Sequence, residues 1–317
     1  LYRIHGEIYN HLELRRELPK SISWRGTSDT ETLINAIEIW GVLNTLRRTV
    51  GMFSFCLWDS EKREISLARD RLGEKPLYYG FTDNALVFGS QLKALILHPE
   101  VSKELDDEAV KSFVRSSYVP TPLSIYKGFR KLSPGTVLTY KVDMSNRVSN
   151  KQQLAEKYWC PEEAIARARR TPFSGDLHEA RDTLDILLRQ SIVGQMLSDV
   201  PLGVFLSGGI DSSTVAAIMQ AVSPLPVKSF TIGFDQGDYD ESSSASDIAR
   251  YLGTNHVSEN LRPEDALELI PSLNEVYDEP FADPSALPTI LVSQLARRDI
   301  SVVLSGDGGD ELFCGYN

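Results

Sequence analysis

The sequence predicts two domains of different fold class: an α+β domain in the first half, and an α/β domain with a doubly wound parallel sheet in the second. In the first half, short β-rich runs are joined by hairpin signals, as at Met52–Trp58 and Glu64–Ala68 around a polar turn. In the second half, apolar β-like runs alternate with helical stretches, which is typical of parallel sheets. A chain of 317 residues is long enough for two cores. We therefore expect domains at residues 1–165 and 172–317.

Turn chemistry and capping residues predict the elements of the first domain. Ser28 and Glu31 have the spacing of a capping box, with Ser28 as N-cap and Glu31 at the third helical position. Asp106 is placed to begin a later helix. The expected order is a strand at 1–10, helices at 11–18 and 28–41, strands at 52–58, 64–68, 76–81 and 85–88, a helix at 105–114 and a strand at 135–142. The polar stretch Met144–Lys157 has no clear period and is predicted to be a loop or linker.

Apolar periodicity predicts the elements of the second domain. Between residues 177 and 197, apolar side chains recur at close to helical spacing. They are Leu184, Leu187, Leu188, Ile192 and Met196. After this helix, β-like runs at 202–206, 227–234 and 300–304 alternate with helical stretches at 212–221, 241–252, 263–276 and 286–298. The domain boundary is expected near residue 170.

Composition argues against several classes of function. The net charge of −11 offers no basic surface for a nucleic acid or a membrane, so we expect neither as a partner. The chain has no apolar run of about 18 residues and no signal-peptide pattern, so a cytoplasmic location is expected. Cys56, Cys160 and Cys314 are scattered, as reduced thiols are, and neither they nor the five histidines show zinc-ligand spacing.

The most informative stretch is Leu206-Ser-Gly-Gly-Ile-Asp-Ser-Ser213, which follows an apolar run and precedes a helix-forming one. A strand, a glycine turn and a helix N-terminus in succession direct backbone N–H groups and the helix dipole at one point, which suits a phosphate. Asp211 would repel that anion unless Mg²⁺ lay between them. Because no lysine follows the glycines, the loop is not a Walker P-loop. It is similar to the pyrophosphate loop of enzymes that split ATP into AMP and pyrophosphate. The alternative is a Gly-Gly turn with a serine helix cap.

A second glycine-rich turn ends the apolar run that begins at Ile300. It carries three acidic residues, Asp307, Asp310 and Glu311. In open α/β sheets, ligands lie at the carboxyl ends of the parallel strands, where such turns meet. The two turns together therefore predict a site for a magnesium nucleotide, although acidic glycine turns after strands are also common as plain solvated turns.

The chain resembles the glutamine-dependent asparagine synthetases over essentially its whole length. The motifs of the second half that carry this resemblance are Leu206-Ser-Gly-Gly-Ile-Asp-Ser-Ser213, Ser229-Phe-Thr-Ile-Gly-Phe234, Asp278-Glu-Pro-Phe-Ala-Asp-Pro-Ser285 and Leu304-Ser-Gly-Asp-Gly-Gly-Asp-Glu-Leu-Phe313. Those of the first half, like the family's amidotransferase domain, are Gly6-Glu-Ile-Tyr-Asn10, Ser28-Asp-Thr-Glu31, Gly51-Met-Phe-Ser-Phe55, Ala68-Arg-Asp-Arg-Leu-Gly-Glu-Lys-Pro-Leu-Tyr-Tyr79 and Ser90-Gln-Leu-Lys-Ala94. The resemblance implies an N-terminal-nucleophile-type amidotransferase domain before an ATP pyrophosphatase-type domain. Complete members are longer at both ends, so both domains are expected to be incomplete.

The resemblance also implies roles for individual residues. It assigns ATP to Leu206, Ile232, Ser305 and Gly306, pyrophosphate to Ser207, Gly208, Gly209, Ser212 and Ser213, Mg²⁺ to Asp211 and Asp310, and the acceptor or ammonia to Asp307 and Glu311. In the first domain, Gly6 and Glu7 hold glutamine, and Asp29 accepts its α-ammonium group. The family's nucleophile is an N-terminal cysteine, which this chain does not contain, whereas Cys56 lies in an apolar strand and is expected to be core. His256 lies either near the nucleotide or at the surface.

The implied reaction is ATP-dependent amidation of aspartate to asparagine with ammonia from glutamine, through an acyl-adenylate that releases AMP. Glutamine and aspartate are then the small-molecule partners, and a homodimer is allowed. Two departures from the family matter. His5 replaces an asparagine whose amide helps to form the oxyanion hole, and Pro284 stands where some members have a substrate-binding arginine. Amidation of another carboxylate, such as a sugar acid or an antibiotic precursor, and a non-catalytic fragment therefore remain as alternatives.

Overall fold

A computed structural model of the protein describes residues 2–145, 148–234, 241–313 and 315. The chain divides into two compact units, which are described separately. The first unit is Leu1–Phe173 together with Asn274–Ala282, and the second is Ser174–Leu273 together with Asp283–Asn317. None of the helices in the described part of the chain combines the length and the apolar character needed to cross a membrane.

The first unit is built on two antiparallel sheets. Its strands are β1 (Tyr2–Ile8), β2 (Gly51–Asp59), β3 (Glu64–Arg69), β4 (Tyr78–Phe81), β5 (Leu86–Gly89), β6 (Phe129–Lys131), β7 (Thr136–Val142) and β8 (Val148–Lys157). Its helices before the domain boundary are α1 (His11–Glu17), α2 (Asp29–Trp40), α3 (Val42–Arg48), α4 (Leu92–Leu95), α5 (Asp107–Ser116) and α6 (Pro161–Arg170). The larger sheet has the order β1-β2-β3-β7-β8, and the smaller has the order β5-β4-β6. This arrangement confirms the α+β class.

Alternation along the strands explains how the larger sheet is covered on both faces. Phe53 and Phe55 of β2 point to a core shared with Leu14, Leu33 and Leu46 of helices α1, α2 and α3. The opposite face contributes to a second core with residues of the smaller sheet. The members of that core include Cys56, Leu67, Tyr79, Leu138 and Tyr140. The larger sheet is therefore a middle layer between helices and a second sheet.

Three predictions for local structure were wrong in instructive ways. Met144–Lys157 was expected to be a loop, but β8 fills most of it and pairs with β7 from Thr136↔Lys157 to Val142↔Val148. An edge strand can be polar because its backbone pairing with the apolar neighbour decides its conformation. The helix expected at 263–276 is interrupted by a 3₁₀ turn at Ile270–Ser272, because Pro271 cannot donate the helical hydrogen bond.

The third correction concerns the capping box at the start of α2. The Ser28 hydroxyl accepts from the Glu31 amide at 3.2 Å, as expected. The Glu31 carboxylate does not close the box but accepts from the amides of Arg25 and Gly26, at 2.7 and 2.9 Å. Glu31 therefore holds the preceding loop, and only half of the predicted box is present.

The second unit is an α/β layer structure. Its strands are β9 (Leu202–Phe205), β10 (Lys228–Phe234), β11 (Asn255–Leu261) and β12 (Val302–Leu304). Its helices are α7 (Leu177–Gln195), α8 (Ile210–Val222), α9 (Ser242–Leu252), α10 (Pro263–Leu269), α11 (Leu273–Val276, whose last three residues belong to the first unit), α12 (Ala286–Arg297) and α13 (Gly309–Phe313). All strand pairs are parallel, in the order β11-β10-β9-β12.

Both faces of this parallel sheet are covered, which confirms a doubly wound sheet. Val204 and Leu206 pack with residues of α7, α8 and α9 on one face. Phe230 packs with Leu295 of α12 on the other. Because β9 is the first of these strands in the chain and β12 the last, the strand order reverses between them. This is the topological switch point, where open α/β sheets bind ligands.

Candidate active site

The two glycine-rich turns lie on either side of the switch point. The turn 206–209 connects β9 to α8, and the turn 305–308 connects β12 to α13. Since β9 and β12 are hydrogen-bonded neighbours, their carboxyl ends place the turns side by side. Chain connectivity and sheet order thus bring together two segments that are about a hundred residues apart in the sequence.

Glycines allow the second turn to lie directly on Asp211. A Cβ atom on Gly306 would lie 2.7 Å from the Ser212 nitrogen, and one on Gly309 would lie 2.4 Å from Oδ2 of Asp211. Contacts that short do not occur, so a side chain at Gly306 would displace the backbone at the start of α8, and one at Gly309 would displace the side chain of Asp211. The carboxylate of Asp211 therefore lies against Gly309, at the start of α13.

Serine hydroxyls fix the shape of the first turn. Oγ of Ser207 lies 2.8 Å from Oγ of Ser212 and accepts from the Gly209 amide at 3.1 Å. Ser213 donates to the carbonyl oxygen of Gly209 at 2.6 Å. The turn is thus a small hydrogen-bonded loop at the N-terminus of α8, whose dipole favours an anion there.

The other residues predicted for the nucleotide lie in different surroundings. Leu206 is buried, with its side chain in the core. Ile232 lines an open cavity of about 400 Å³ together with Glu259, Asp265, Glu268 and Arg298, and no residue of 206–213 or 305–311 lines that cavity. Asp307 is exposed and accepts from the Ser305 hydroxyl at 2.9 Å, and Glu311 is exposed on α13.

His256 is not at the carboxyl end of the sheet. It pairs with Ser229 in the β10–β11 register, and Ser229 in turn pairs with Val204, before the glycine turn begins. Its Nδ1 lies 2.9 Å from the buried Ser229 hydroxyl, while in the described part of the chain Nε2 is buried without a hydrogen-bond partner. Burial lowers the pKa of His256, because it removes the charged imidazolium form from water. This histidine belongs to the packing of the sheet.

In the first unit, β1 and the start of α2 bring together the residues that were predicted to hold glutamine. Gly6 has φ +133° and lies opposite Phe53, and a Cβ there would lie 2.0 Å from the Met52 carbonyl oxygen. Only glycine fits this position. The Asp29 carboxylate accepts from the Ile8 amide at 2.9 Å, so it lies beside the strand that carries Gly6 and Glu7. His5 and Glu7 are exposed on the same face of β1.

His5 has a hydroxyl and an ammonium group near it that sequence reasoning missed. Its Nδ1 lies 3.0 Å from Oγ of Ser90, and the tautomer decides which of the two donates. Partial burial of the ring and, second, the positive charge of Lys75 lower the pKa of His5. A neutral imidazole with one N–H donor is therefore favoured at neutral pH. Ser90 and Lys75 both stand in motifs quoted above, but nothing local to those motifs indicates a contact with His5.

Asp70 shapes the loop that carries Lys75. Its side chain is completely buried and accepts hydrogen bonds from five backbone amides. They are those of Phe53, Leu72, Gly73, Glu74 and Lys75, at 3.2, 3.1, 2.6, 2.9 and 2.9 Å. This concentration of donors on one carboxylate marks Asp70 as the centre of the loop rather than as a reactive group.

Cys56 lies on β2 and packs, partly buried, against the core between the two sheets. Burial raises the pKa of its thiol to about 11, so the reactive thiolate is strongly disfavoured. This agrees with the expected core role. Cys314 lies outside the described residues.

An α+β unit is joined in one chain to an α/β unit whose two glycine-rich turns meet at the switch point, as expected for a glutamine amidotransferase domain followed by an ATP pyrophosphatase-type domain. Sequence profiles agree: that of the glutamine amidotransferase domain matches residues 3–159, and that of asparagine synthase matches residues 183–317. The chain belongs to the family of glutamine-hydrolysing asparagine synthetases.

Individual relatives support this membership. The chain is 35% identical to a putative asparagine synthetase [glutamine-hydrolyzing] 2 of Methanocaldococcus jannaschii, over 98% of this chain and 58% of the relative. It is 34% identical to a putative asparagine synthetase [glutamine-hydrolyzing] of Mycobacterium tuberculosis, and 33% identical to asparagine synthetase [glutamine-hydrolyzing] 1 of Bacillus subtilis. In both cases the match covers 98% of this chain and 47% of the relative. The chain thus spans about half the length of these relatives.

Proposed function

We propose that this chain is part of an enzyme that amidates aspartate to asparagine with ammonia from glutamine. A carboxylate resists attack by ammonia because its leaving group would be an oxide ion. In the proposed reaction, a carboxylate oxygen attacks the α-phosphorus of ATP, and the bond to pyrophosphate breaks. Ammonia then attacks the acyl carbon of this acyl-adenylate, AMP leaves and the amide forms. The observation that carries the proposal is the pair of glycine turns that meet at the switch point around Asp211.

The residues of the first turn are suited to hold the leaving pyrophosphate. Gly208 and Gly209 are exposed and keep the backbone free of side chains, and Ser207, Ser212 and Ser213 supply hydroxyl groups. The N-terminus of α8 adds a positive dipole end directed at the same place. In this proposal, Ser305 and Gly306 contact the nucleotide from the second turn, and the exposed Asp307 and Glu311 face the acceptor or the ammonia.

The acidic groups fit a magnesium ion held jointly with phosphates. Mg²⁺ is typically bound in nucleotide sites by one or two carboxylates plus phosphate oxygens, rather than by a cage of protein ligands. Asp211 lies against Gly309, the residue that precedes Asp310, so the two carboxylates come from the adjoining turns and match that pattern in number. Among the described residues, no group of three or more histidine, cysteine, aspartate or glutamate side chains forms a cage. When bound, the ion would neutralise charge that builds on the phosphates.

The first unit is proposed to hold glutamine while its amide is hydrolysed. Asp29 is an acceptor-only carboxylate beside Gly6 and Glu7, which suits an α-ammonium group. His5, favoured in its neutral form, has one ring N–H that can donate to the oxyanion in place of the asparagine amide found in most relatives. Glutamine hydrolysis is therefore proposed for the full-length protein that contains this chain.

A second candidate is the amidation of a different carboxylate. Pro284 occupies the position at which some family members have an arginine for the acceptor. Since proline has neither a charge nor an N–H group, the α-carboxylate of aspartate would need another partner. The same two turns would activate a sugar acid or an antibiotic precursor equally well.

The test uses a full-length protein that contains this chain. Asp211→Ala should reduce aspartate-dependent ATP–pyrophosphate exchange by at least about a hundredfold, because a phosphate-site carboxylate and its ion act at the transition state. Glutaminase activity should be unchanged. The matched control is Asp247→Asn, an exposed acidic residue of α9 that forms an ion pair with Arg250 of the same helix. Exchange at the wild-type rate in Asp211→Ala would contradict the proposal, and exchange with another acid but not with aspartate would favour the second candidate.

A further inference from the structure

The segment Asn274–Ala282 packs as part of the first unit, although the sequence on both sides of it belongs to the second. It contains Asp278 and Glu279, the acidic pair that opens a motif quoted above. Both acidic side chains are mostly buried, with 12% and 8% of their surface exposed. Buried carboxylates need partners, so the partners show what the segment does.

Glu279 anchors the segment. Its carboxylate forms an ion pair with Lys131 and accepts from the Ile125 amide at 2.7 Å and from the Tyr78 hydroxyl at 3.2 Å. Further along, the Ala282 amide donates to the Ser117 carbonyl oxygen at 2.8 Å. With charge, backbone and hydroxyl partners all supplied by the first unit, Glu279 holds the segment in that unit.

Asp278 supplies a helix cap. Its Oδ2 accepts from the Leu92 amide, the first of α4, at 2.6 Å, and Lys93 lies 3.5 Å from its Oδ1. In the described structure, the N-cap residue Gln91 makes no side-chain capping bond of its own. A helix of four residues is far too short to be stable alone, so a cap from a distant segment decides how well this turn is held.

The capped turn leads directly to the glutamine pocket. Ser90 stands two residues before Leu92, and its hydroxyl contacts Nδ1 of His5 at 3.0 Å. The chain of contacts therefore runs from Asp278 to the Leu92 amide, through the backbone of 90–92, to the ring of His5. The positive charge of Lys75, in the loop after β3, also acts on this ring.

We propose that Asp278 is a positioning residue for His5: by capping α4 it holds the Ser90 hydroxyl as a donor to Nδ1, which places the ring hydrogen on Nε2. A residue from the second half of the sequence thereby orients a side chain of the glutamine pocket. The relevance for glutamine hydrolysis rests on the proposed function, but the positioning itself can be measured on this chain without any activity.

The experiment follows the His5 ring by ¹H–¹⁵N NMR across a pH titration, with His5→Asn to assign its signals among the five histidines. The wild-type ring should be mainly the Nε2–H tautomer. In Ser90→Ala the tautomers should mix, and the pKa should rise by about 0.4 to 1, which corresponds to the loss of one hydrogen bond to the neutral ring. Ser90→Thr keeps the hydroxyl and should restore the wild-type spectrum.

Asp278→Ala should raise the pKa of His5 and mix its tautomers, as Ser90→Ala does. Asp278→Asn keeps a neutral acceptor and should raise the pKa less. In the Ser90→Ala background, Asp278→Ala should cause no further change in the pKa of His5, because the hydrogen bond between Ser90 and His5 is already absent. The matched control is Asp283→Asn, whose bonds are local to Ser285 and should leave His5 unchanged.

The proposal is overturned if folded Asp278→Ala leaves the pKa and the tautomer of His5 unchanged. It is also overturned if Asp278→Ala shifts the pKa of His5 as much in the Ser90→Ala background as in the wild-type background. If Asp278→Ala does not show the amide spectrum of a folded protein, the same test is applied to Asp278→Asn, and an unchanged pKa and tautomer of His5 in that variant overturns the proposal. Glutamine binding, measured separately by titration, shows whether the proposed function fails while the positioning holds.

Discussion

Replacing Asp70 by alanine should strongly destabilise the first unit. The side chain is fully buried and is the acceptor for five backbone amides, of which that of Gly73 also donates to the Asp70 carbonyl oxygen. Each buried amide left without an acceptor costs about 1–3 kcal/mol, but a loop can rotate some of its amides towards water. If two of the five amides remain buried without an acceptor, the free energy of unfolding falls by about 4 kcal/mol. That is a large part of the total stability of a typical domain, which is about 5–15 kcal/mol.

Urea unfolding followed by tryptophan fluorescence measures this loss selectively, because Trp24, Trp40, Trp58 and Trp159 are the chain's four tryptophans and all lie in the first unit. With a slope of about 2 kcal/mol per molar urea, the midpoint should fall by about 2 M. Asp59→Ala is the control: its carboxylate also accepts two amides, those of Glu61 and Lys62, but in an exposed hairpin turn, so water can replace it. A midpoint shift in Asp70→Ala no larger than that in Asp59→Ala would refute the idea that the buried amides depend on this carboxylate.

Two further predictions concern histidines. In a full-length protein, His5→Asn should leave glutaminase kcat unchanged or raise it, and His5→Ala should lower it about a hundredfold, since one oxyanion donor is lost. Full glutaminase activity in His5→Ala, measured as glutamate release, would mean that backbone alone builds the hole. For His256, the lowered folded-state pKa means that the unfolded chain binds a proton more readily, so the stability of the second unit should fall as the pH drops below about 6.5. His256→Gln should weaken that dependence, as read by hydrogen exchange of peptides from 202–234; an identical pH dependence would contradict the assignment.

The sequence predicted the features that depend on local pattern and chain order. The alternation of apolar runs with helices predicted the parallel sheet. Because each of the two glycine turns follows a strand, the sequence also predicted that both turns lie at the carboxyl edge of that sheet. Helix α6 could also have been predicted, since Pro161 opens it, Glu162 and Glu163 fill its first turn and arginines fill its last. What the pattern could not supply were contacts between distant residues. The Ser90–His5 and Asp278–Leu92 contacts span 85 and 186 positions, and both side chains are also common as plain surface groups.

The acidic residues of the second unit make a last prediction about the nucleotide. The turns 206–213 and 305–311 carry four carboxylates, Asp211, Asp307, Asp310 and Glu311, and neither contains a lysine or an arginine. A helix dipole offers only about half a positive charge, so these turns alone cannot offset a triphosphate. In contrast to a P-loop with its lysine, binding of ATP should therefore require a divalent cation almost completely. Calorimetry on a full-length protein should show ATP binding with Mg²⁺ and its loss in EDTA, while Asp310→Asn should weaken the dependence on Mg²⁺ concentration. Tight binding of ATP in EDTA would mean that a basic residue outside these two turns, and not the cation, neutralises the phosphates.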